Sequence, residues 1–125
     1  MASLPRRVVE AGGRVIMGTD APINPPGISL LAEMEALVRY GEMRSVDVLR
    51  ATTSVSGEAL GQAGRLGVVA PGAIADLIVI GEDPTRDIRA LRDLRVVILG
   101  GRIHEAAALL QRAGRAGSGG APGAR

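Results

Sequence analysis

Apolar residues recur along this chain with two different periods. Between residues 30 and 38, Leu30, Leu31, Met34, Leu37 and Val38 return at helical spacing. Glu33, Glu35 and Arg39 take the other side, so the pattern predicts an amphipathic helix over 29–40 with Ser29 as its cap and Gly41 as its stop. A second helix is expected over 45–53, with Ser45 as cap and Asp47 in the first turn. A short third one is expected over 56–60, opened by Ser54 or Ser56 and closed by Gly61. Upstream, Leu4 to Ala11 reads as the end of a helix, with Pro5 in its first turn and Gly12-Gly13 as the break. Arg14 to Gly18 then reads as a short buried strand built on Val15, Ile16 and Met17.

From Leu66 the period shortens. Leu66 to Val69 reads as extended, and Pro71-Gly72 signals a type II turn. Ala75-Asp76-Leu77-Ile78-Val79-Ile80 predicts a strand covered on both faces. Asp83-Pro84 turns the chain, and Asp87 to Leu94 fits either a short helix or a packed loop. Val96 to Leu99, Gly100-Gly101 and Arg102 to His104 predict a hairpin, because two glycines allow positive φ at both turn positions. Glu105 to Ala113 reads as a helix. From Gly114 the tail of Gly, Ala, Ser, Pro and Arg has nothing to bury and is expected to be disordered.

Composition narrows the function classes. The chain has 125 residues and a net charge of +2, and its fifteen basic residues are all Arg. It holds one Tyr and no Phe or Trp, so the core must be aliphatic. Without a basic run or an aromatic ladder, nucleic-acid binding is not expected. The absence of Cys excludes disulfides and thiolate metal sites. No apolar run approaches the ~20 residues of a membrane span, and the N-terminus lacks the apolar stretch of a secretory signal, so a cytoplasmic location is expected. The glycines Gly61, Gly64 and Gly67 do not make a phosphate loop, since no strand precedes them and no Gly-Lys-Ser/Thr follows.

The candidate chemistry sits after the first strand, where Gly18-Thr19-Asp20-Ala21-Pro22 places one carboxylate at a strand end. α/β enzymes place catalytic groups there, although an Asp opening a turn before proline is also ordinary. Asp20 followed by Val48-Leu49-Arg50-Ala51-Thr52-Thr53, by Arg65-Leu66-Gly67-Val68-Val69-Ala70-Pro71-Gly72-Ala73-Ile74-Ala75-Asp76-Leu77-Ile78-Val79-Ile80, by Asp83-Pro84 and by the glycine hairpin resembles the C-terminal part of metal-dependent amidohydrolases. The branch is that of imidazolonepropionase and Xaa-Pro dipeptidase, and the resemblance runs over about residues 4 to 105.

The resemblance implies an α/β fold: the last strand and closing helices of a (β/α)8, TIM-like barrel over 1–62, then the C-terminal strands of a small β-sandwich over 63–105, then a short helix and tail over 106–125. It also implies that Asp20 is the catalytic carboxylate and metal ligand, beside a divalent metal, zinc by expectation, whose bound water attacks a carbon–nitrogen bond. The family's further ligands are histidines and often a Lys or Glu bridge. This chain has one His, His104 in the final hairpin, read as a surface residue, and no Lys. Asp20 can ligate a metal only if other ligands come from a partner chain, so no metal is expected on this chain alone. Three readings stay open: an inactive C-terminal segment, which a start shortly before the strand suits; a subunit completed by an N-terminal amidohydrolase chain; and a non-catalytic structural or binding module. Open strand edges at 14–18 predict self-association.

Overall fold

The computed structural model describes residues 2–19 and 28–117. It opens with α1 (Leu4–Glu10), capped by the Ser3 hydroxyl, with Pro5 in its first turn. Three further helices follow: α2 (Ile28–Arg39), α3 (Ser45–Thr52) and α4 (Ser54–Ala59). Ser29 lies inside α2, not ahead of it. Ser45 likewise starts α3 instead of capping it; the cap is Arg44, which makes no side-chain cap bond and grips Asp47 instead.

The strand expected over 14–18 is not paired with any strand among the described residues. Its side chains still alternate, with Val15 and Met17 half-buried against the core and Ile16 55% exposed. The hydrophobic pattern therefore survives, but a strand needs a neighbour to hydrogen-bond with, and none is present among the described residues. Leu66–Val69 likewise joins no sheet.

The second half is one antiparallel sheet in the order β1-β2-β3: β1 (Leu77–Ile80), β2 (Leu94–Leu99) and β3 (Arg102–Glu105). The described residues hold no second sheet, so no sandwich is formed by them. Gly100 and Gly101 take φ of 54° and 78°, as a two-residue hairpin turn requires. β1 begins two residues later than expected, because Ala75 and Asp76 are engaged elsewhere. The Ala75 carbonyl accepts from the Gly101 N–H at 3.0 Å, and Asp76 Oδ1 accepts from the Gly100 N–H at 2.6 Å. Nor is β1 covered on both faces: Ile78 is 54% and Val79 47% exposed. α5 (Ala106–Gly117) runs past the expected break at Gly114 and packs on β2 and β3. The remaining tail, 118–125, lies outside the described residues, as does the loop 20–27.

The ambiguous stretch 87–94 resolves into a 3-10 helix (Ile88–Arg92) followed, after Asp93, by β2. Asp87 caps it through its side chain. Its Ile88 and Leu91 are buried with Met34, Met43 and Val48 in one cluster. Met34 comes from α2 and Val48 from α3, so the core joins the helices to the segment between two strands. Met17, Leu30, Leu37, Leu49 and Ile80 pack around it. No helix among the described residues is long and apolar enough to cross a membrane.

Candidate functional site

Asp20, the one candidate catalytic and metal-binding residue of the sequence, lies outside the described residues, which stop at Thr19 and resume at Ile28. What the structure describes is the segment that delivers the chain to it. Three tethers hold that segment. Val15 and Met17 are seated against the core cluster. The Arg14 guanidinium bonds Glu58 of α4 at 2.5 Å. Behind them, the Ser3 hydroxyl donates to the Gly41 carbonyl and the Ser3 N–H to Glu42 at 3.2 Å, fixing α1 to the turn after α2. The Arg14–Glu58 pair was not legible in the sequence, since 44 positions separate its members.

Of the series Gly61, Gly64 and Gly67, only Gly67 has a packing cause, since a Cβ on Gly61 or Gly64 would meet open space. Gly67 has φ of 71°, and a Cβ there would run into the backbone of Thr53 and Ser54. A Cβ on Gly57 would meet the Leu66 carbonyl oxygen at 2.5 Å. Two glycines thus let the loop after α4 lie directly on the α3–α4 junction. No phosphate cradle is needed to explain them.

His104 sits in β3 opposite Val97, half-buried, on the wall of a shallow cleft of about 210 Å³ with Leu109 and Arg112. Among the described residues no three His, Cys, Asp or Glu side chains come together as a metal site. A hydrolytic zinc site normally takes three protein ligands, and this chain holds one His and no Cys. The donors among the described residues alone do not fit such a metal.

One cleft is rimmed by ion pairs. A cleft of about 390 Å³ between α1 and the start of α3 is rimmed by Arg6, Glu10, Arg44 and Asp47. There Arg6 pairs with Glu10 at 2.7 Å and Arg44 with Asp47 at 2.6 Å. The Arg44 guanidinium holds the Asp47 carboxyl below its usual range. Elsewhere Arg92 does the same to Glu35, Arg89 to Asp87 and Arg95 to Asp93 through side-chain hydrogen bonds. Asp83 is lowered by the hydroxyl and then the N–H of Thr85. Every resolved carboxylate shift among the described residues is downward, whereas a general acid near neutral pH needs the opposite.

With the geometry in place, comparison with known proteins decides the family. Residues 3–104 match the Amidohydrolase family. The chain belongs to that family. Imidazolonepropionase from Chloroflexus aggregans (strain MD-66 / DSM 9485) is 37% identical to this amidohydrolase chain over 82 residues, which are 65% of this chain and 19% of that protein. The 5-methylthioadenosine/S-adenosylhomocysteine deaminase of Syntrophobacter fumaroxidans (strain DSM 10017 / MPOB) is 32% identical over 82 residues, covering 59% of this chain and 19% of its own length. A crystal structure of a Xaa-Pro dipeptidase with methionine bound in its active site superposes with a TM-score of 0.71 at 29% identity, over 82% of this chain and 25% of the dipeptidase. These likenesses relate the chain to a TIM-barrel fold. It spans about a fifth of the length of the curated relatives it matches.

Proposed function

We propose that this chain is the C-terminal segment of a metal-dependent amidohydrolase that cleaves carbon–nitrogen bonds in amides, cyclic amides or dipeptides. Residues 1–62 are then the closing part of a barrel, and 63–105 one sheet of a sandwich completed elsewhere. The observation that carries the reading is the family match over residues 3–104. The similar proteins are a deaminase and a dipeptidase by name, and a carbon–nitrogen bond is what those two reactions share.

The donor set limits what this chain does by itself. Asp20 is its one candidate metal ligand and catalytic group, and the nitrogen ligands have to come from an N-terminal amidohydrolase chain. Alone, the chain is inactive and holds no divalent metal.

Two measurements test this. Elemental analysis and Zn(II) calorimetry on the purified chain are expected to show no stoichiometric metal. Tight one-to-one binding that disappears in Asp20→Ala would sink the reading that the site is incomplete. Mixing the chain with a relative truncated of its matching residues is expected to restore amide hydrolysis, and Asp20→Ala to abolish it. Restoration that ignores Asp20→Ala would leave this chain a purely structural role.

A further inference from the structure

We draw no further inference here: the strongest candidate, the apolar surface of the three-stranded sheet at Ile78, Val79, Leu99 and Ile103, is exposed in a chain that spans about a fifth of the length of its curated relatives, and nothing in the structure shows what covers it.

Discussion

At the scale of single residues, two positions show how local geometry limits this sequence. Gly67 combines φ of 71° with backbone atoms of Thr53 and Ser54 where a Cβ would go. Left-handed backbone alone costs an L-residue about 1–2 kcal/mol, and forced overpacking about 1–3 more. Gly67→Ala should therefore lower stability by roughly 3 kcal/mol. Gly64, with φ of 74° and open space around it, provides the contrast. Gly64→Ala should cost only the backbone part, about 1 kcal/mol. Urea titration of both variants checks this, and equal midpoints would show that loop packing on Thr53 contributes nothing. Val48 is fully buried at 0% exposure in α3, at the centre of the core cluster. Val48→Ala removes two methyl groups from that centre and should cost about 2 kcal/mol in the same titration.

At the scale of elements, the ion pairs set a pH dependence. The carboxyls of Glu35, Asp47, Asp83, Asp87 and Asp93 all titrate below their ordinary values because hydrogen-bond donors hold the charged form. A carboxyl lowered in the folded state stabilises the fold above its unfolded pKa, and that contribution fades as pH falls through the folded value. Unfolded Asp and Glu titrate near 3.9 and 4.3. Stability should thus be flat from about pH 6 to 8 and decline below about pH 4. Thermal melts across that range test it; a maximum at acid pH would contradict the shifts. Because the partners are exposed, added salt should weaken the plateau slightly.

The same scale shows what could be read from the residues. Helical spacing located α2 and α3 to within a residue or two, and Gly100-Gly101 located the hairpin turn, because period and turn chemistry are local properties. The strand at 14–18 failed for a non-local reason: its pattern is right, but its ladder partner is not among the described residues. Ala75 and Asp76 left β1 because they bond the Gly100-Gly101 turn, Asp76 and Gly100 being 24 positions apart, which no window of sequence displays. The candidate site was legible only as Asp20, through the family resemblance, and Asp20 lies outside the described residues.

At the scale of the whole molecule, the 3-10 helix couples the two halves. Ile88 and Leu91 leave the sheet segment between β1 and β2 and enter the cluster with Met34 from α2 and Val48 from α3. Arg92 reinforces the same joint by bonding Glu35 of α2 at 2.5 Å. The sheet itself has few buried residues, since only Ala106 beyond β3 is fully covered there, while Ile78, Val79 and Leu99 are exposed. A three-stranded sheet so poorly covered is marginal without packing against another layer. Its stability must therefore be drawn through Ile88 and Leu91, and the helices and the sheet should unfold together. Leu91→Ala should cost about 3 kcal/mol. Hydrogen exchange should show α2, α3, β1 and β2 amides losing protection by the same factor in that variant. If β1 and β2 lost protection while α2 and α3 kept theirs, the sheet would be an independent unit and the coupling through the 3-10 helix would be wrong.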